Sequence, residues 1–318
     1  MDLSISRKKL SALLIFIACL FLGLPAQAET FTVPQDASPE SCVLPQDASP
    51  DECFGIPQDA SPEDIERYRF SWKDLTPIKD QGTCGSSWAF STVGAMEDKL
   101  KLGGYPGNIE LSKELLIGQC GCSGDCQGGL VETALYFLVK NGTTSAQNLS
   151  YSSGYCLNNG SCTQSCSGCP TSIFDPHPCT ATCSDLCPDL SGMDVFKITD
   201  YNEFSLNPGQ IKSELINNGP LVAYLSLPAA ASPNNPFPVH AVELVGFDDC
   251  SQVCHDIYGT WGCWKIKNSW GGFDGFKYDI YHENGYGYIP YCTNTPVCKT
   301  REKCAAIIKV FEIGDVIH

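Results

Sequence analysis

The sequence lacks an apolar run that could cross a membrane comfortably, and it is poor in positive charge. Its N-terminal apolar segment, residues 10–24, is shorter than the about 20 residues that a transmembrane helix needs. The chain carries 20 Lys and Arg against 36 Asp and Glu, which gives a formal net charge of -16 at pH 7. Such a charge repels nucleic acid and anionic membranes, so we expect neither as a partner.

The first 28 residues have the three parts of a signal peptide. A basic start at residues 6–9 precedes the apolar segment, and an A-Q-A tripeptide at residues 26–28 supplies a cleavage site. We therefore expect residues 1–28 to be removed and the mature chain to be secreted or extracytoplasmic, in a periplasm, the extracellular space or a lysosome-like compartment. Lipidation at Cys19 is the less favoured alternative, because Phe16 fits poorly and the apolar segment continues past Cys19.

Residues 29–66 form an acidic leader that contains no Lys or Arg. One unit, P-Q-D-A-S-P followed by Glu or Asp, occurs three times in it, at residues 34–40, 45–51 and 57–63. Proline blocks helix formation and the acidic side chains repel one another, so we expect the leader to be extended, solvated and disordered. The alternative is a segment that occupies a binding cleft and is tethered through the cysteines at positions 42 and 53.

Cysteine is abundant, and export decides how it is interpreted. The chain has 20 cysteines, and in an exported protein clustered cysteines are usually paired as disulfides. Cys19 precedes the cleavage site, which leaves an odd number in the mature chain. The cysteine-rich insert, at about residues 156–190, has little apolar content and would need covalent staples. Zinc bound through Cys166, Cys169 and His177 is the alternative, but export favours disulfides, so we expect no metal and no other cofactor.

The order of the predicted elements indicates an α+β fold. Apolar periodicity predicts helices at residues 88–100, 110–116 and 131–139. Short β-branched or aromatic runs predict strands at residues 194–201, 221–225, 241–247, 264–267 and 305–311. A helical front half followed by an antiparallel β back half would place the two halves face to face across a cleft.

The most informative segment is residues 81–91, which read Q-G-T-C-G-S-S-W-A-F-S. It resembles the Q-G-x-C-G-S-C-W-A-F-S segment of papain-family cysteine peptidases at every fixed position except the nucleophile, where Ser87 replaces cysteine. Other family segments follow in the family's order: Leu111-Ser112, Cys120, C-Q-G-G at 126–129, Gly219-Pro220, V-H-A-V at 239–242 and K-N-S-W-G at 267–271. The resemblance covers about residues 68–311 and implies one papain-like peptidase domain over residues 67–318.

The resemblance also implies catalytic roles. Ser87 stands at the nucleophile position, and His240 matches the family's base and later proton donor. Asn268 would orient the imidazole of His240. Gln81, together with the backbone N–H of Ser87, would form the oxyanion hole. The histidine and asparagine lie further downstream than the roughly 130–150 residues usual after the nucleophile, because the cysteine-rich insert and residues 248–262 lengthen the chain. We assign no role to the other histidines, His177, His255, His282 and His318.

The resemblance implies a substrate-binding set and two disulfides as well. Gly128 and Gly129 would let an extended substrate approach the backbone, and Trp270 would shield the His–Asn hydrogen bond. The implied disulfides are Cys84–Cys126 and Cys120–Cys156. The family's third disulfide has no evident match, because no cysteine lies shortly before the histidine.

Serine at position 87 changes the expected chemistry. A thiol with a pKa of about 8.5 can lose its proton to histidine and form a thiolate–imidazolium ion pair in the resting protein, whereas an alcohol cannot. We therefore expect a papain-like protein that binds extended peptides and hydrolyses them weakly or not at all, a pseudoenzyme. The alternatives are a serine-type hydrolase acting through Ser87, His240 and Asn268, and an active cysteine peptidase whose nucleophile was engineered to serine. The intact signal peptide argues against the engineered form.

The expected partner is therefore a peptide or protein, either as substrate or as ligand. The non-enzymatic hypothesis gives the cysteine-rich insert a role in docking another protein.

Overall fold

The structure is a computed structural model that describes most of the chain from residue 69 onward. The described residues are 69–107, 109–117, 124–126, 128–151, 190–204, 206–227, 239–249, 251–259, 262–277, 280–291 and 304–318. The predicted signal peptide, the acidic leader and the cysteine-rich segment lie outside the described residues, as do Cys120 and Cys156.

A long buried helix dominates the front half. Helix α1 (Ser87–Leu102) is followed by α2 (Glu114–Ile117) and α3 (Val131–Lys140). α1 packs against α3 on one side and against the later sheet on the other. Gly94 permits that close approach, because a Cβ there would overlap the Glu243 carboxylate. Two predicted helices are confirmed with slightly longer bounds, whereas the third begins only at Glu114, since Leu111 forms a β-bridge with Ser145 in place of a helical turn.

In the described part of the chain, six short strands lie before and between the helices of the front half and the large sheet of the back half. They are β1 (Arg69–Ser71), β2 (Gly124–Asp125), β3 (Gly128–Gly129), β4 (Thr143–Thr144), β5 (Val195–Ile198) and β6 (Tyr201–Phe204). β2 and β3 pair as a two-stranded ribbon, and β5 pairs with β4 and with β14 (Val316–Ile317). The sequence predicts a single strand at 194–201, but the structure divides this range. β5 ends at Ile198, and β6, which begins at Tyr201, belongs to a different sheet.

The back half is an antiparallel sheet. Its remaining elements are α4 (Pro208–Asn218), β7 (Leu221–Ser226), β8 (Val239–Asp248), α5 (Gln252–Tyr258), β9 (Cys263–Lys267), β10 (Gly275–Lys277), β11 (Ile280–Glu283), β12 (Tyr286–Pro290) and β13 (Ala306–Ile313). The strand order is β10-β11-β12-β9-β8-β7-β13-β6, with β1 also paired to β8. The strands predicted at 221–225, 241–247, 264–267 and 305–311 are confirmed as β7, β8, β9 and β13.

Two hydrophobic clusters stabilise the halves. The first surrounds Trp88, Met96 and Leu135 in the helical half. The second surrounds Leu244 and Ile266 in the sheet. β8 lies between β7 and β9 and packs directly on α1, so it connects the two halves. The α+β class predicted from the sequence is confirmed, with helices in front and an antiparallel sheet behind.

Candidate active site

The loop before α1 holds the start of the helix in place. Cys84 and Cys126 form a disulfide, the pair implied by the resemblance, and Gly85 N–H donates to the Cys126 carbonyl over 2.8 Å. Ser86 occupies the N-cap position, although its side chain caps no backbone N–H and instead contacts Tyr151 Oη at 3.1 Å. Ser87 is thereby fixed as the first residue of α1, where backbone N–H groups and the helix dipole favour negative charge.

Strand β8 brings the sequence-distant histidine to that helix start. Ala241 N–H donates to Ser87 Oγ over 3.2 Å. His240 precedes it on β8, opposite Leu225 of β7, and its side chain is buried. Ser87 and His240, which are far apart in sequence, therefore lie on adjoining ends of α1 and β8.

The His240 ring is held by the loop that follows β9. Its Nε2–H donates to Asn268 Oδ1 over 2.8 Å, and the same oxygen accepts from Ser269 N–H over 2.8 Å. The Trp270 indole stacks on the imidazole with ring centroids 4.6 Å apart and an interplanar angle of 24°. Both His240 and Asn268 are buried, so the hydrogen bond between them is shielded from water.

Burial lowers the pKa of His240 from its ordinary value to about 4. The hydrogen bond to Asn268 works in the other direction, and the positive charges of Lys277 and, when protonated, His282 reinforce the lowering. An imidazole with this pKa is neutral at pH 7. It can therefore accept a proton during a reaction, but it is unprotonated in the resting protein at this pH.

Gln81 connects the two loops that border the site. Its Nε2–H donates to the Cys84 carbonyl over 2.8 Å, and its Oε1 accepts from Ser269 Oγ over 2.5 Å. The backbone repeats this link, since Gln81 N–H donates to the Ser269 carbonyl over 2.8 Å. The side chain is buried and its amide orientation is fixed by these contacts.

The two-glycine strand β3 borders the site with an open backbone face. Gly128 has φ 140°, a conformation that favours glycine, and a Cβ built there would meet no atom within 4 Å. Leu130, just after β3, and Val239, just before His240, are exposed apolar side chains, at 38% and 41%.

A buried ionic cluster supports the site from behind. Lys267 Nζ, at the end of β9, donates to Asp98 Oδ2 over 2.8 Å and to Thr76 Oγ1 over 2.9 Å. Glu243 Oε2 lies 3.5 Å from the same nitrogen, and burial raises the pKa of Glu243 well above its ordinary value. Lys267 directly precedes Asn268, so the cluster anchors the start of the loop that carries this asparagine.

His282, to which the sequence assigned no role, also lies in the site. Its Nε2 lies 3.0 Å from Asn268 Nδ2, and the side chain is only 1% exposed. The residue order I-Y-H-E at 280–283, which puts Ile280 and His282 on the same face of a strand, is the sequence signal that could have placed it inside, and the burial of β11 follows that alternation. A second disulfide, Cys254–Cys263, joins α5 to β9 and was also not predicted.

Metal-binding clusters and membrane-spanning helices are both missing from the described residues. Within the part of the chain that the structure describes, no three His, Cys, Asp or Glu side chains are grouped so that they could hold a metal ion. Among the same residues, no helix is both long and apolar enough to span a bilayer.

Known proteins of one family are similar to this chain. The family profile described as "Papain family cysteine protease" matches residues 62–308. The chain is 26% identical to the probable cysteine protease RD19B of Arabidopsis thaliana over 268 residues, 74% of this chain and 59% of that protein. It is 28% identical to cysteine proteinase 15A of Pisum sativum over 255 residues, 72% of this chain and 58% of that protein. The chain thus spans about three fifths of the length of these relatives.

A solved structure shares the fold. The digestive procathepsin L2 proteinase from the larval midgut of Tenebrio molitor aligns with a TM-score of 0.51 and 20% identity, over 78% of this chain and 68% of that chain. A likeness at this level of identity concerns the architecture alone, and it confirms the predicted fold class.

Proposed function

Because this chain belongs to the papain family of cysteine proteases, we propose that it is an exported protein that binds extended peptides and hydrolyses them weakly or not at all. The observation that carries the proposal is the position of Ser87. Its Oγ lies at the start of α1, against the strand that bears His240. This is where the family's nucleophilic sulfur would stand, and here it is an oxygen.

The proposed roles follow from the contacts around Ser87. His240 is the base, because its Nε2–H is taken up by Asn268 and its other ring nitrogen remains to accept a proton. Gln81, with the backbone N–H of Ser87, is the candidate oxyanion hole, since its amide is held next to the Cys84 loop. Trp270 covers the His–Asn hydrogen bond.

Serine removes the feature that makes the family's nucleophile reactive. A cysteine at a helix N-terminus beside a histidine ionises, and the proton is stored on the imidazole. A serine alcohol keeps its proton near neutral pH, and His240 with a pKa of about 4 does not hold one either. The partner of His240 is the neutral amide of Asn268, whereas serine hydrolases use a buried carboxylate to stabilise the imidazolium formed during attack.

Peptide binding does not depend on the missing sulfur. The backbone of β3, which is open at Gly128, is suited to pair with an extended peptide as an added strand. Leu130 and Val239, both exposed, would offer apolar contact to its side chains. A peptide or protein is therefore the proposed ligand. We also propose a Cys120–Cys156 disulfide and a role for the cysteine-rich insert in docking another protein.

The proposed organisation is the one predicted from the sequence. Residues 1–28 direct export, residues 29–66 form the acidic leader, and residues 67–318 form the peptidase-like domain. Disulfides such as Cys84–Cys126 support an oxidising compartment.

A second candidate function is slow serine-type hydrolysis. The observation that favours it is the neutral, oriented imidazole of His240, which is able to take the Ser87 proton during attack. It differs from the first proposal in rate, since both place substrate in the same cleft.

The test compares four forms of the oxidised, refolded mature protein on a peptide library: native, Ser87→Cys, Ser87→Ala and His240→Ala. We expect all four to bind the same peptides and only Ser87→Cys to cleave them. Turnover by the native form that disappears in both Ser87→Ala and His240→Ala would replace the first proposal with the second. Absence of peptide binding in every form would contradict both.

A further inference from the structure

We propose that His282 is a positioning residue that fixes the Asn268 amide so that its carbonyl oxygen faces His240. The effect on turnover rests on the function proposed above, whereas the effect on the geometry of His240 does not. The family segments that identify the site contain Ser87, His240 and Asn268 but say nothing of this second histidine.

The proposal begins with a continuous chain of hydrogen bonds. His240 Nε2 and Asn268 Oδ1 are 2.8 Å apart, and Asn268 Nδ2 and His282 Nε2 are 3.0 Å apart. His282 Nδ1 in turn lies 2.9 Å from the Ile280 carbonyl oxygen. Asn268 thus lies between two imidazoles and contacts one with each end of its amide.

The far end of this chain determines the proton positions. A carbonyl oxygen only accepts, so His282 Nδ1 must carry the proton that it donates to Ile280. In the neutral ring, Nε2 is then the lone-pair nitrogen and accepts from the Asn268 NH2 group. The Asn268 oxygen is consequently directed towards His240, whose Nε2 must be protonated to donate to it.

The opposite orientation of the amide would be poorly satisfied. With Asn268 turned over, its NH2 group would face the N–H of Ser269, which now donates to Oδ1 over 2.8 Å. Its oxygen would face the lone pair of His282 Nε2. Both contacts would be unfavourable inside a buried site, where unpaired polar groups are costly. Ser269 and His282 therefore favour the same orientation from opposite ends.

The surroundings of His282 keep the ring neutral and in place. Phe273 and Trp270 lie against it, with ring centroids at 5.8 Å and 5.3 Å. Burial lowers the pKa of His282, and the positive charge of Lys277 adds to that effect, while the carbonyls of Ile280 and Gly275 act in the opposite direction. A protonated His282 would present N–H groups on both sides and would no longer accept from Asn268.

The experiment uses imidazole 15N NMR on the mature protein, with variants His282→Phe and His282→Gln. Phenylalanine keeps a planar ring but has no acceptor, whereas glutamine supplies an oxygen that can accept from Asn268. In the native protein we expect His282 protonated at Nδ1 and His240 at Nε2. We expect His282→Phe to shift the His240 signals and His282→Gln to restore most of the native pattern. Ile289→Val is the matched control, because it trims a fully buried side chain on the neighbouring strand β12 and Ile289 takes no part in the hydrogen-bond chain.

Kinetics in the Ser87→Cys background give the second measurement. We expect His282→Phe to lower kcat by about tenfold to a hundredfold with little change in KM, less than the roughly 10²–10⁴-fold of a positioned base, because His240 itself is retained. We expect His282→Gln to recover most of that loss.

The outcomes separate this proposal from the proposed function. If Ser87→Cys does not turn over, the function fails, while the NMR experiment still decides the role of His282. A native His282 protonated at Nε2 would overturn the proposal without any variant. So would His240 signals and kcat that are the same in His282→Phe as in the Ile289→Val control.

Discussion

The backbone N–H of Ala241 donates a hydrogen bond to Ser87 Oγ over 3.2 Å. This contact links the first residue of α1 to the residue that directly follows His240 on β8. Among the described residues Ser87 Oγ makes no hydrogen bond to His240, so the hydroxyl is held by the strand backbone and not by the imidazole. The arrangement holds the hydroxyl next to the strand that carries His240.

The lowered pKa of His240 predicts how stability depends on pH. The folded-state pKa of about 4 lies below the ordinary value of 6.5, so the unfolded chain binds a proton more readily. The free energy of unfolding should therefore fall as pH drops from about 6.5 to 4, by roughly 3 kcal/mol from this group. Urea titrations at several pH values measure this fall, and His240→Phe should reduce it. An unchanged pH dependence in that variant would contradict the assigned pKa.

Replacing the neutral partner of His240 with a charge should raise the pKa of His240. In Asn268→Asp the carboxylate would stand where the amide oxygen now lies, 2.8 Å from Nε2. An opposite charge at this distance stabilises the imidazolium, by about one to three pKa units. NMR titration of the His240 ring measures the change. Asn148→Asp is the control, because Asn148 lies in another part of the fold.

The ionic cluster behind the site predicts a large loss of stability in Lys267→Met. Both Lys267 and Asp98 are almost completely buried, so removing the lysine leaves the Asp98 carboxylate without its 2.8 Å partner. Breaking a buried ion pair on one side costs about 3–5 kcal/mol of unfolding free energy. Lys265→Met, two residues earlier and half-buried, should cost much less. Similar urea midpoints for the two variants would argue against the cluster as an anchor.

The two described disulfides offer an internal comparison. Cys84–Cys126 spans 42 residues, whereas Cys254–Cys263 spans 9. Because a disulfide restricts the unfolded chain more when its loop is longer, replacing the first pair by serines should cost about 1 kcal/mol more than replacing the second. Denaturation of the two double variants tests the order. The reverse order would show that native-state contacts, and not loop length, dominate.

Much of the candidate site could be predicted from sequence because its residues lie in segments with strong local signals. The apolar periodicity of α1 and the β-branched runs of β8 and β9 gave the elements that carry Ser87, His240 and Asn268. The approach of α1 to β8 is a long-range contact, and only the family resemblance implied it. Neither kind of signal pointed to His282. It lies on β11, in the β10–β12 region that no predicted strand covered. Its proximity to Asn268 depends on the register of β12 between β9 and β11.

The most direct test of the role of Ser87 is kcat/KM of the native protein and of Ser87→Cys on one peptide that both forms bind. We expect the cysteine form to be faster by on the order of a thousandfold or more, about 4 kcal/mol of transition-state stabilisation. Similar kcat/KM values for the two forms, with both abolished by His240→Ala, would contradict this expectation and would establish Ser87 as a working nucleophile.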